Sequence, residues 1–176
     1  MSETATPSQT VGPFFHIGLE RISRNDLTNG IAQSVKVSGQ VLDGDGKPVI
    51  DALIEIWQAD SNGIYGGEFY RYGRIATDAG GSFSFTTIKP GRVAGVDGQL
   101  QASHIAVNVF MRGLLKHLVT RIYFPNESSN NTDSSLQSVP AARRDTLIAI
   151  PIAGSAQNLA WNIVLQGERE TVFFDC

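Results

Sequence analysis

Few side chains in this chain could do chemistry, and they are scattered. The three histidines, His16, His104 and His117, have no partner at i+2 or i+4, the spacings that put two imidazoles on one strand or helix face. A lone histidine in a strand is by default a structural residue, and a three-histidine zinc site would need all of them at once. The one cysteine is Cys176, which excludes a disulfide framework or a multi-cysteine metal site. Asn126-Glu127-Ser128 and Asn130-Asn131-Thr132 match glycosylation sequons by chance in an Asn/Ser-rich stretch. Asp43-Gly44-Asp45-Gly46 resembles the start of a calcium loop but lacks the downstream Glu, so it reads as a turn. There is no phosphate loop and no nucleophile elbow. Arg143-Arg144 reads as a solvated helix face. Arg121, inside a β-like run, reads as half of an ordinary cross-strand pair. Arg112 follows the apolar run Ile105 to Met111 and precedes Gly113. Its planar fork suits a carboxylate, and two readings stay open: a solvated strand-end charge, or a contact to an anion.

The elements that must position these residues are short. The chain has 176 residues, 14 Lys plus Arg against 17 Asp plus Glu, a net charge of −3 and 41% hydrophobic residues. One domain of this size buries about 70% of the surface its unfolded chain exposes, so disorder is excluded. The mild acidity argues against a nucleic-acid binder. The longest apolar runs are too short to span a bilayer. Met1 to Gln9 is polar and carries a proline, so no secretory leader is read and a cytoplasmic protein is expected.

Period-two alternation marks strands at Val35 to Leu42, Ala52 to Gln58, Ser82 to Ile88, His104 to Phe110, Val119 to Phe124 and Ala160 to Gln166, with an edge at Glu170 to Phe174. Glycine-rich turns separate them. The pattern predicts a single all-β domain, an antiparallel β-sandwich, with residues 1–34 an extended N-terminal strap and linker and residues 35–176 the sandwich. Pro140 to Leu147 is the one helical stretch, following an irregular polar loop, Pro125 to Ser138. Thr6 to His16 is expected to be non-helical, because Pro13 lacks an N–H and disfavours α geometry at Gly12. It still carries Phe14 and Phe15, apolar anchors for a strap lying across its own domain or a partner.

Several segments, in order, resemble one family. They are Thr6-Pro7-Ser8-Gln9-Thr10-Val11-Gly12-Pro13-Phe14 with His16-Ile17-Gly18-Leu19; Glu55-Ile56-Trp57-Gln58-Ala59-Asp60-Ser61-Asn62-Gly63-Ile64-Tyr65; Thr87-Ile88-Lys89-Pro90-Gly91; Ser103-His104-Ile105; Thr120-Arg121-Ile122-Tyr123-Phe124; and Gln166-Gly167-Glu168-Arg169-Glu170-Thr171-Val172-Phe173-Phe174. Together they resemble the intradiol ring-cleavage dioxygenases, a family with a transthyretin-like sandwich. The pattern looks most like the α subunits of the heteromeric, protocatechuate-cleaving members.

The resemblance implies a non-haem Fe(III) held by two Tyr and two His, since phenolates are hard donors that favour the ferric ion. In this sequence Tyr65 and His104 stand at two of those positions, while Val93 and Ala106 stand at the others. Gln101 replaces an Arg that catalytic subunits carry three residues before the first His. Valine and alanine offer no lone pair, so the resemblance implies no metal ligand and no catalytic residue in this chain. The iron would belong to a homologous β subunit. Thr10, Gly12, Phe14 and Arg112 would line the substrate cleft at the interface, with Phe14 where many relatives have Tyr. Two further readings stay open: a sandwich that binds an aromatic ligand without catalysis, and a self-contained dioxygenase with an altered ligand set.

Overall fold

A computed structural model describes residues 6–66, 71–95 and 98–175. Two sheets face each other across an apolar core. One has strand order β4 (Ser82–Thr87), β1 (Val35–Leu42), β8 (Asn158–Ala160) and β7 (Ile150–Pro151), with β9 (Ile163–Val164) also paired to β1. The other has order β3 (Tyr72–Ala76), β2 (Leu53–Trp57), β5 (His104–Phe110) and β6 (Leu118–Tyr123). Alternation sets the inward faces. Val35, Val37, Val41, Phe83 and Phe85 from the first sheet meet Ile54, Ile56, Ile105, Val107, Val109 and Ile122 from the second, all buried. Burying one such side chain contributes about 1.5–3 kcal/mol, which makes this core the main source of stability.

The second sheet is antiparallel throughout, but β1 runs parallel to β8 and β9, so the first sheet is mixed. Ala160 to Gln166 is not the single strand expected. Trp161 and Asn162 interrupt the ladder where a Cβ on Gly39 would sit 1.7 Å from the Trp161 carbonyl oxygen. The Asn162 side-chain oxygen accepts from the Gln40 N–H at 3.0 Å in place of a backbone carbonyl. Glu170 to Phe174 forms no edge strand. It meets the second sheet by one bridge, Val119 to Phe174, and by the Thr120 hydroxyl donating to the Val172 carbonyl at 2.7 Å, and it meets β9 by the Thr171 N–H donating to the Val164 carbonyl at 2.9 Å. Strand β3 escaped the sequence reading because Tyr72-Gly73-Arg74 masks an alternation that carries Ile75 inward.

The largest departure is at the N-terminus. Helix α1 spans Pro13–Glu20. The pre-proline argument holds for Gly12, which is extended (φ −86°, ψ 174°), but that conformation is an N-cap, and proline at the first helical position costs nothing because its N–H would be unpaired anyway. Only the segment before Pro13 is an extended strap. The loop after Pro125 also holds order: a 3-10 turn at Ser128–Thr132 and a short helix α2 (Ser134–Ser138), capped by Asp133 accepting from the Leu136 N–H at 2.8 Å. The stretch read as the one helix is a 3-10 segment, Ala141–Leu147. Its arginines are not a solvated face. Arg144 donates to the Val139 and Gln137 carbonyls at 2.8 and 2.9 Å, and Arg143 to the Glu170 carbonyl at 3.1 Å, so they pin the segment down. Asp43 to Lys47 is a turn as expected, its Asp43 carboxylate accepting from the Asp45 and Lys47 N–H groups at 2.9 and 2.8 Å. Cys176 lies outside the described residues. No helix among the described residues is long and apolar enough to cross a membrane.

Candidate functional site

The residues of interest lie on the outward face of the second sheet and on the loops and strap beside it. Register aligns its side chains in rows across the strands. Tyr72, Trp57, Ala106 and Arg121 form one row, and Arg74, Glu55, Asn108 and Val119 the next. His104 opposes Tyr123 at one end of the face. At the other, Phe110 stacks on His117 with ring centres 5.2 Å apart.

Helix α1 and the strap cover the Phe110 end. Phe15 packs on Phe110 at 5.4 Å, while its neighbour Phe14 is 83% exposed. The Thr10 hydroxyl accepts from the Gly113 N–H at 2.7 Å. That bond brings the strap to the residue beside Arg112, which the sequence separates by about a hundred positions. Gly113 has φ +90°, a turn conformation that suits glycine. Arg112 reaches Asp51 through Nε at 2.9 Å, and its side chain remains largely exposed. Among the described residues the guanidinium makes no other polar contact. A Cβ on Gly12 would meet nothing within 4 Å, so that stretch of strap is open on its outer side. Thr10 and Arg112 are thus brought to one edge. Phe14 starts the adjoining helix with its ring in solvent. Between strap and hairpin lies a cavity of about 410 Å³ lined by Gln9, Val11, Met111 and Leu114 among others.

The opposite end gathers Tyr65, Val93, His104 and Ala106. Two loops are locked together there. Asp60 folds the first by accepting from the Asn62 and Ile64 N–H groups at 2.8 and 2.9 Å, and its carbonyl accepts from the Gly91 N–H at 2.8 Å. A Cβ on Gly63 would lie 1.9 Å from the Arg92 carbonyl oxygen, and Gly63 has φ +81°, so only glycine allows the approach. The Gln101 N–H then donates to the Val93 carbonyl at 2.8 Å, drawing the second loop to the start of β5. The Gln58 carboxamide ties the end of β2 to the other sheet, donating to the Ile88 carbonyl and accepting from the Thr87 hydroxyl, both at 2.9 Å. These contacts lock the loops of Tyr65 and Val93 together and draw the second to the strand of His104 and Ala106, the four positions at which the resemblance implies an iron site.

The donors for such a site are not there. Val93 is buried hydrocarbon. Ala106 ends at a methyl group. The His104 Nδ1 lies 2.8 Å from the Ala102 carbonyl, and burial holds the imidazole below its usual basicity. Tyr65 stacks on Trp57 at 4.6 Å, and burial raises its phenol above the ordinary range, against the pull of the Arg121 charge. One phenol and one imidazole do not make a ferric site, and among the described residues no cluster of three His, Cys, Asp or Glu side chains exists anywhere. Arg121 does not sit in a cross-strand ion pair: its register partner is Ala106, and it donates to the Gln101 side-chain oxygen at 3.2 Å.

Comparison with known proteins gives this geometry its context. A dioxygenase family model matches residues 16–167. The chain is 38% identical to the protocatechuate 3,4-dioxygenase alpha chain of Pseudomonas putida and 40% identical to that of Burkholderia cepacia, covering 97% of this chain and 96% of each relative. It belongs to the intradiol dioxygenase family. The same family supplies a second kind of relative: the protocatechuate 3,4-dioxygenase beta chain of Burkholderia cepacia is 32% identical, over 93% of this chain and 77% of that one. Among solved structures, the dioxygenase domain of a carbohydrate-binding fusion from Streptomyces sp. SirexAA-E superposes with a TM-score of 0.67 at 30% identity, covering 85% of this chain and 89% of that one. Intradiol members thus share this sandwich, and this chain resembles both the alpha and the beta kind.

Two positions here, Asp51 and Asp133, differ in how much signal the sequence carries for them. Asp51 carries no motif linking it to Arg112, 61 positions on. Asp133 could have been found: an Asp three residues before Leu136 is an N-cap signal.

Proposed function

We propose that this chain is the iron-free α subunit of a protocatechuate 3,4-dioxygenase. It pairs with a homologous β subunit that holds Fe(III), and the pair uses O₂ to cleave protocatechuate between its hydroxyl-bearing carbons, giving 3-carboxy-cis,cis-muconate. The observation that carries this reading is the combination of near full-length similarity to α chains with Val93 and Ala106 at two ligand positions. The bound iron supplies the redox chemistry. This chain's residues bind and orient. Thr10, Gly12 and Phe14 form part of the cleft wall, on a strap whose outer side is open. Arg112 faces the substrate carboxylate, exchanging some of its contact with Asp51 for it. A charged hydrogen bond of this kind contributes about 1.5–3 kcal/mol. A cytoplasmic location fits the reading. The relatives are ring-cleaving subunits, which favours it over a sandwich that only carries a ligand.

Expression tests it. The chain made alone is expected to be colourless and iron-poor. Made with a β chain bearing two Tyr and a His-x-His, it is expected to give a coloured complex that turns over protocatechuate. A coloured, active lone chain would overturn the proposal, and so would failure to form a complex with any such β chain.

A further inference from the structure

The site that lacks two donors also holds a charge that their absence does not explain. Arg121 lies directly across the β5–β6 ladder from Ala106, the position where a second histidine would stand. An arginine in a half-buried β position usually meets a carboxylate. Arg121 meets none within ion-pair distance among the described residues. Its guanidinium donates to the Gln101 oxygen at 3.2 Å, lies 3.5 Å from the Tyr123 hydroxyl, and stands over the Phe174 ring at 5.9 Å. Each partner is neutral. The charge is also felt at both surviving donor positions, Tyr65 and His104. Gln101 completes the picture, because it stands where the resemblance places an Arg in catalytic subunits. Here that position is an acceptor for Arg121.

We propose that Arg121 is a cation lock: its guanidinium supplies the positive charge of this site and keeps metal ions out, independently of the missing tyrosine and histidine. A fixed positive charge among the donors repels a ferric ion at close range in a partly dehydrated setting, where Coulomb terms are large. The lock would keep iron out of α sites in a cell that is loading the β sites. It deepens the α-subunit reading, yet it is built from this chain's side chains alone.

Restoring the donors tests it. In the V93Y/A106H double variant, made with the partner chain, iron content is expected to stay at the wild-type level. Adding R121Q should load about one further iron per chain, at least tenfold above the double variant's own gain, with a tyrosinate-to-iron absorption band. R121K in the same background keeps the charge and should stay empty. R121M keeps the stem's packing and should load, which provides a reading should the glutamine variant not fold. A double variant that loads as fully as the triple, or a lysine variant that does, overturns the proposal. So does a folded, neutral triple variant that takes up no iron. A chain that forms no complex is measured alone, so failure of the α-subunit reading shows in assembly and failure of the lock shows in metal content.

Discussion

The two ends of one sheet face have taken opposite courses. At the Phe110 end, side chains stand open: among the described residues Arg112 is held by Asp51 alone, Phe14 is in solvent, and the Thr10 hydroxyl ties the strap down by accepting from the Gly113 N–H. At the His104 end, the groups are used up internally. Tyr123 and Asp133 are buried against each other, His104 engages a backbone carbonyl, and Arg121 spends its contacts on neutral neighbours. A surface whose side chains are exposed and lightly tied is one that a partner or ligand can complete. A site that satisfies them from within has become structure. Both conditions arise on one sheet face, because different loops close its two ends.

Four experiments put the difference between the two ends to the test. The largest effect is expected at the closed end. Asp133 is fully buried and accepts from the Ala102 N–H at 2.7 Å, the Leu136 N–H at 2.8 Å and the Tyr123 hydroxyl at 3.0 Å. Asp133→Ala strands these donors and should cost about 3–5 kcal/mol in chemical denaturation; a loss under about 1 kcal/mol would mean the site is not the structural node described. Next, Arg112→Ala at the open end should lower kcat/KM of the complex for protocatechuate by about 10- to 150-fold with iron content unchanged. Unaltered kinetics would remove Arg112 from the cleft. Thr10→Val deletes the strap's fastening and should cost about 0.5–1 kcal/mol, read as faster hydrogen exchange at the Gly113 amide. Exchange at the wild-type rate would show that α1 alone holds the strap.

The smallest effect concerns pH. Burial lowers the His104 pKa in the folded chain, whereas the unfolded chain takes up that proton near about pH 6.5. Between the two values the unfolded state binds more protons, so stability falls as pH drops below about 6.5 and is intact above it. Thermal unfolding at about pH 7 and about pH 5 should show a steeper decline for the wild type than for His104→Gln. Parallel declines would mean that His104 is not held neutral by its surroundings.

Much of this was legible beforehand. Alternation placed Val37, Phe85, Ile105 and Val107 inward because a strand's side chains have period two whatever the strand pairs with. That Val93 and Ala106 carry no donor atom was equally plain, since donor chemistry is a property of residue type; that they stand at ligand positions is what the family resemblance implies. Helix α1 was not legible because the rule applied at Gly12 was a rule about one residue's backbone, and it says nothing of the turn that follows. The Arg143 and Arg144 contacts were hidden for a different reason: the carbonyls they reach come from neighbouring turns whose direction only packing sets.

Residue order alone carries the inward faces, the turn glycines and the lack of a donor atom on Val93 and Ala106, because these follow from side-chain shape and lone pairs. Packing in three dimensions sets Thr10 at Gly113, Arg112 on Asp51 and Arg121 across the ladder from Ala106. Those are contacts between distant segments. They depend on strand register and on the close approach of Gly63 to Arg92, and neither can be read from a local stretch of chain.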